Sequence, residues 1–240
     1  MVAYVTRAPA GIPGELSRQE GAVVVPVALN ETIVYGKPVK MVTDKASNID
    51  ANDTAANFYG VLQRSAPAIS TDNTSNTADT DFVQQVIRKG FVSVACATGT
   101  PTQGGQVYMR VVEETTQLVG DFEAAYDYGL TAAAMVGTGN ATAGTLSATS
   151  AAVPGVYKAL FTAATAFNLV SPDGDIGKVG ATGSAYTAFG LTFTITAGGT
   201  PAIAGDYINL TLVSNNVALP GVTFASAGKD AANNCEIQIA

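Results

Sequence analysis

Apolar and polar side chains alternate without error in Leu191-Thr192-Phe193-Thr194-Ile195-Thr196 and nearly so in Tyr207-Ile208-Asn209-Leu210-Thr211-Leu212. A period of two with β-branched and aromatic residues predicts strands with one buried and one wet face. Between them, Ala197 to Asp206 is a string of turn formers, which predicts a chain reversal that makes the two runs a hairpin. Val156 to Thr162 and Phe167 to Val170 predict two more strands, closed by the turn Ser171-Pro172-Asp173-Gly174-Asp175. Four or more short strands in residues 137–213 are enough for a small antiparallel sandwich.

Strand signals also lie on both sides of this stretch. Val23 to Leu29, Ile33 to Tyr35, Val39 to Val42, Phe58 to Leu62 and Gln106 to Val112 are apolar runs, with Pro26 and Pro38 predicting strand starts, edges or breaks. Phe82 to Cys96 predicts two strands or one bent strand, with Gly90 as the kink or bulge. Asp44 to Asn57 reads as a polar loop, and Ser65 to Thr80 as a long mobile surface loop. Ala124 to Met135 is alanine-rich, yet Tyr126, Tyr128 and Leu130 alternate as in a strand, which favours strand or irregular structure over helix.

Asn215 to Phe224 predicts a turn-rich loop, and Cys235 to Ile239 a terminal strand that must pair with the first unit. The 137–213 stretch therefore reads as an insertion. The first 22 residues, with Pro9, Gly11, Pro13, Gly14 and Gly21, predict an extended arm that is either disordered alone or bound along a neighbouring subunit. The expected organisation is all-β: an arm (1–22), a sandwich- or barrel-like antiparallel base domain (23–136 plus 214–240), and an inserted small Ig-like β-sandwich module (137–213).

Composition narrows the function more than the fold. A chain of 240 residues is 47% hydrophobic and 13% charged, but no apolar run approaches the roughly 20 residues of a membrane span. The start lacks the basic-then-apolar pattern of a signal peptide, so the chain is expected to be soluble and to stay in the cytoplasm of the cell that makes it. Residues 1–110 carry nine basic and nine acidic side chains, and residues 111–240 carry three against ten, which accounts for the whole net charge of −7. Such a surface argues against nucleic acid as a partner and leaves a basic protein partner open.

Histidine is absent, which removes the commonest general base and metal ligand together. Carboxylate pairs remain at Glu113-Glu114, Asp121 with Glu123, and Asp173 with Asp175, but nothing marks two of them as facing each other across a cleft, and no catalytic residue is predicted. Asn48 to Asp53 and Asp173-Gly174-Asp175 lack calcium-loop spacing and read as turns, so no metal and no cofactor are predicted. Gly137-Thr138-Gly139-Asn140 reads as a flexible linker. Cys96 and Cys235 read as buried free thiols in a reducing compartment, with a single bridge between them as the alternative.

The base domain resembles the capsid decoration, or structural cement, proteins of tailed bacteriophages. The resemblance is carried by Tyr35-Gly36-Lys37-Pro38-Val39, Phe58 to Leu62, Arg88-Lys89-Gly90-Phe91-Val92-Ser93-Val94, Gly104-Gly105-Gln106-Val107-Tyr108, Pro220 to Phe224 and Glu236 to Ile239, in that order. The insertion is similar to a β module that recurs in phage head decoration proteins, through Gly144-Thr145-Leu146, Gly155-Val156-Tyr157, Phe161 to Thr165, Gly183 to Tyr186, Gly190 to Ile195 and Ala204-Gly205-Asp206.

The resemblance implies a non-enzymatic virion protein on the outer surface of an HK97-fold capsid, made in the host cytoplasm and clamping neighbouring capsomers. Its partners would be the major capsid protein and sister copies, as trimers or, next, dimers. On that footing the arm residues Arg7, Pro9, Ile12, Pro13, Leu16 and Arg18 are expected against capsid protein or a sister subunit, with the inserted module projecting outward. A glycan-binding adhesin module and a tail or baseplate component are the alternatives from other classes.

Overall fold

The computed structural model describes residues 11–64 and 76–240, and among them the regular structure is strand, with one 3-10 turn at Ala55–Asn57. The chain forms two compact units, one of residues 1–126 with 216–240 and the other of residues 127–215. The first contains β1 (Leu16–Leu29), β2 (Ile33–Val34), β3 (Pro38–Val42), β4 (Lys45–Asn48), β5 (Gly60–Gln63), β6 (Thr77–Ala78), β7 (Gln84–Thr98), β8 (Gln106–Arg110) and β9 (Phe122–Glu123). The second contains β10 (Tyr128–Ala132), β11 (Thr142–Ala148), β12 (Gly155–Ala163), β13 (Ala166–Val170), β14 (Ile176–Ala181), β15 (Ala185–Ala188), β16 (Leu191–Thr196) and β17 (Tyr207–Ser214). The chain then returns to the first unit with β18 (Asn216–Phe224) and β19 (Asn234–Ile239).

The first unit is organised by the 15-residue strand β7, which belongs to two closed circuits of pairing. One runs β7-β5-β3-β4-β1 and back to β7; the other runs β7-β19-β18-β8-β9 and back to β7. Closure leaves no bare edge to either circuit, which is how a barrel avoids edge-to-edge association. Val61 pairs with Ile87 and Leu62 with Val86. Successive side chains point to opposite faces. Leu62 and Val86 accordingly enter a core with Val27, Leu29, Ile33, Tyr35 and Val39, while Val61 and Ile87 enter a larger one with Val94, Met109, Phe122, Phe224 and Ile237. The short run of consecutive apolar residues in each strand thus follows from facing two cores.

Gly90 is where β7 passes from one circuit to the other, and its φ of +121° is open to glycine and costly for other residues. A Cβ there would lie 3.1 Å from the Cβ of Ala22 on β1. The kink expected from the sequence is therefore a single bent strand. Two further expectations are corrected in this unit. Asn216 to Phe224, read as a turn-rich loop, is strand β18, in which three residues around Pro220-Gly221 bulge between the pairs Ala218–Tyr108 and Thr223–Gln106. The Gln106 amide donates to the Leu219 carbonyl at 2.9 Å, supplying a bond that the interrupted ladder lacks. The long loop at Ser65 to Thr80 lies mostly outside the described residues, but Thr77–Ala78 pairs with Ile33–Val34.

The second unit begins at Asp127, not at Gly137, because Tyr128–Ala132 pairs along its whole length with β17. The alternation of Tyr128 and Leu130 outweighs the alanine content there. A five-stranded sheet, β10-β17-β12-β13-β14, faces a three-stranded one, β11-β16-β15. The two alternating runs that read as a hairpin consequently sit in different sheets: β16 pairs with β11 and β15, β17 with β10 and β12. Each run has one apolar face, and placing them in opposite sheets lets Leu191, Phe193 and Ile195 meet Ile208, Leu210 and Leu212 in one core. Phe167 anchors this core, with ring centroids 5.2 Å from Tyr186 and 5.9 Å from both Phe161 and Phe193.

Gly137 to Asn140 is no flexible linker. Buried Asp206 accepts backbone hydrogen bonds from Ile203, Gly139 and Thr138 at 2.9 to 3.0 Å, and a Cβ on Gly137 would collide with its carboxylate. Those three N–H groups, Ile203 foremost, hold the Asp206 carboxyl below the usual carboxylate range.

A lowered folded-state value stabilises the fold above the unfolded carboxylate pKa of about 3.9 and ceases to do so as pH falls through the folded value. Asp206→Asn is therefore expected to lower the melting temperature at neutral pH and to flatten its fall below about pH 4, read from thermal melts between acid and neutral pH; an unchanged acid limb would refute this. Gly90→Ala is expected to cost about 1–3 kcal/mol by forcing a side chain into a left-handed conformation against Ala22, measured by urea unfolding.

Candidate functional site

The sequence has no histidine, and no group of three or more Cys, Asp or Glu that could hold a metal ion occurs among the described residues. Of the six arm residues singled out from the sequence, Arg7 and Pro9 lie outside the described residues. The other four are not part of a free arm. Gly14 and Glu15 exchange backbone hydrogen bonds with Ser93 on β7 at 2.8 and 3.0 Å, and Arg64 donates to the Gly14 carbonyl at 2.8 Å. Gly14 has a φ of +87°, and a Cβ there would meet the backbone nitrogens of Gly36 and Arg64 below 3 Å. The glycines read as irregularity are thus what allows close approach to the barrel.

From this anchor the strand begins at Leu16, six residues before the arm was expected to end. Leu16 pairs with Val92 and packs on the larger core; Arg18 pairs with Phe91. Six residues of β1, Arg18 to Val23, span only the three from Phe91 to Lys89 on β7, so the intervening residues bulge out of the ladder. Arg18 stacks over the Phe91 ring at 4.2 Å and binds Glu236 on β19 at 2.9 Å, where Ser17 Oγ donates to the other carboxylate oxygen at 2.6 Å. Pro13 is half-buried, and Ile12 is exposed beside this cluster in sequence. Of the predicted set, Ile12 and Arg18 present surface, while Leu16 is spent on packing.

The carboxylate pairs divide in the same way. Glu113, Glu114, Asp173 and Asp175 are exposed, Asp121 binds Lys37, and Glu123 is fully buried. Glu123 accepts from buried Arg110 at 3.0 Å, from Thr98 at 3.1 Å and from Asn216 at 2.5 Å, tying β7, β8, β9 and β18 together. The acidic loop once considered for calcium is filled by a lysine: Lys40 Nζ lies 2.7 Å from Asp50 and 2.8 Å from Asp53. Burial opposes the charge on Lys40, but hydrogen bonds to the two carboxylates outweigh it and raise its pKa. Cys96 and Cys235 are both buried and free, and a hydrogen bond between them holds the Cys96 thiol below its ordinary value against the pull of burial.

One surface feature had no counterpart in the sequence reading. Arg88 on β7 stacks over the Tyr59 ring at 4.1 Å while its Nε donates to the Tyr59 carbonyl at 3.2 Å. The pair borders a cavity of about 270 Å³, also lined by Lys40, Met41 and Phe58. An arginine following the apolar pair Val86-Ile87, two residues before the glycine kink, was the only local hint.

A base of closed strand circuits interrupted by a β-sandwich defines an all-β protein of two units. Residues 1–157 match the family model of the XM1 gp53 minor capsid protein, and the chain belongs to that family, whose members are structural proteins of a phage capsid. No curated protein matches the chain. Two solved structures of Xanthomonas campestris FlgL are similar to parts of it. One is 21% identical with a TM-score of 0.29, covering 39% of this chain and 30% of that one; the other is 14% identical with a TM-score of 0.30, covering 69% and 51%. The chain thus spans 30% and 51% of those proteins' lengths, and overlaps this poor carry no argument.

Glu123→Gln is expected to destabilise the first unit by about 1–3 kcal/mol, because buried Arg110 would keep only the exposed Glu114 as its counter-charge. Urea unfolding of the variant against the parent measures this, and a loss under 1 kcal/mol would show that the pair contributes little.

Proposed function

We propose that the chain is a non-enzymatic decoration protein that binds the outer surface of an HK97-fold phage capsid and cements neighbouring capsomers, as trimers. The match of residues 1–157 to a minor capsid family carries this reading. The resemblance of the base domain to cement proteins narrows it from capsid association to decoration. The physical chemistry supports it: backbone hydrogen bonds fix Gly14 and Glu15 on the first unit, next to exposed Ile12 in the chain.

Purified chain sedimented with expanded, undecorated heads of its own phage should bind saturably, at a copy number fixed by the shell's symmetry. Failure to bind, with the chain recovered in tails or on host envelopes, would overturn the proposal. Removing residues 1–10 is expected to weaken attachment at least tenfold while leaving the melting temperature unchanged, about 1.4 kcal/mol of binding or more. A cut at residue 18 would confound that test, since it removes the Gly14 and Leu16 contacts of the fold itself.

A further inference from the structure

We infer that Arg88, held on Tyr59 at the border of its cavity, is a recognition site for a single carboxylate, the Asp or Glu side chain of an acidic protein segment. That this segment belongs to capsid protein rests on the decoration reading above; the carboxylate chemistry does not.

The chain has 19 acidic and 12 basic side chains, so a cation has ample carboxylates available to it. Arg18, Lys37, Lys40 and Arg110 have each taken one or two. Arg88 has not: its Nε–H is bonded to a backbone carbonyl, its plane rests on an aromatic ring, and its two Nη groups make no hydrogen bond or ion pair with any described residue. A guanidinium fixed at two points has already lost most of its rotamer freedom, and its open donors are spaced for the two oxygens of one carboxylate. Exposed arginines stacked on tyrosine at the edge of a cavity have the character of an interface anchor.

The charge of the surroundings selects the ligand. Across the cavity Lys40 with Asp50 and Asp53 makes a group of net charge −1, one cation against two carboxylates, which Arg88 brings to zero while its own Nη donors stay open. A single carboxylate adds the least charge that a bidentate acceptor can bring. A phosphate dianion or the successive charges of a nucleic-acid backbone would add more negative charge beside Asp50, whose side chain is exposed. The cavity walls at Met41 and Phe58 supply apolar contact for the methylenes of an Asp or Glu stem.

The test uses the full chain labelled with 15N-arginine, in which the Arg88 Nε–H signal is assigned by its absence from Arg88→Lys. Titration with a capped hexaglutamate peptide at low salt is expected to shift that signal saturably, with hexaglutamine leaving it in place. Arg88→Lys should bind the peptide about tenfold more weakly, since an ammonium cannot make the bidentate contact, with an unchanged melting temperature. An unmoved Arg88 signal, or equal affinity in the lysine variant, would overturn the site; saturation by inorganic phosphate at equal or lower concentration would overturn its carboxylate chemistry. In the head-binding assay, parent and Arg88→Lys differing at least fivefold supports capsid protein as the source of the carboxylate, and equal binding overturns that assignment while leaving decoration itself intact. Should the parent not bind heads, decoration fails and the peptide titration still decides the site.

Discussion

Everything in the first unit depends on one strand being shared. β7 contributes Val86 to one core and Ile87, Val92, Val94 and Cys96 to the other, and its flanks carry β1, β5, β9 and β19. A straight strand of 15 residues would be committed to one curvature. The positive φ of Gly90 divides it, so that each half can follow its own closed circuit. Because both circuits close through this strand, the N-terminal strand β1 and the C-terminal strand β19 are held by the same element, and the two ends of the sequence are parts of one folded unit.

The second unit solves the same problem by layering. Its strands alternate cleanly, one face apolar and one polar, which suits two sheets packed on a shared core better than a closed circuit. The buried aromatic cluster around Phe167 fixes the two sheets against each other, and the Asp206 carboxylate fixes the connection that carries the chain into β11. Three backbone N–H groups converge on one side chain there, so a loop of glycines that would otherwise be mobile becomes a defined turn.

For a structural capsid protein, function lies in which polar groups the fold leaves open. Most of the charges are used internally: Arg110 with Glu123 inside the larger barrel, Lys40 with its two aspartates, Arg18 with Glu236. The anchored N-terminal segment and Arg88 both lie on β1 and β7 or are hydrogen-bonded to them, so their polar groups are held by strands. A contact site on a strand keeps its geometry without a partner, and this lowers the entropic cost of association.

Periodicity and composition alone determined that the chain is all-β, that Gly90 bends a strand, that the Tyr128 to Ala132 stretch is not helical, and that an inner stretch of sequence interrupts an outer one. These are local properties: side-chain alternation and backbone permissiveness act within a few residues. Tertiary structure decided the rest. That β16 and β17 occupy opposite sheets depends on which partners each run finds, and two runs with equivalent patterns carry no record of it. Leu16 to Ala22 became strand, and Leu219-Pro220-Gly221 a tolerated bulge, because distant residues, Val92, Phe91 and Gln106, offered pairing that local propensity could not anticipate. Arg88 could be read as a site only in three dimensions, since what singles it out is the ring 29 positions earlier that holds it and the absence of a described acid beside it. Charge pairing is a matter of distance in space, and the sequence records only the charges.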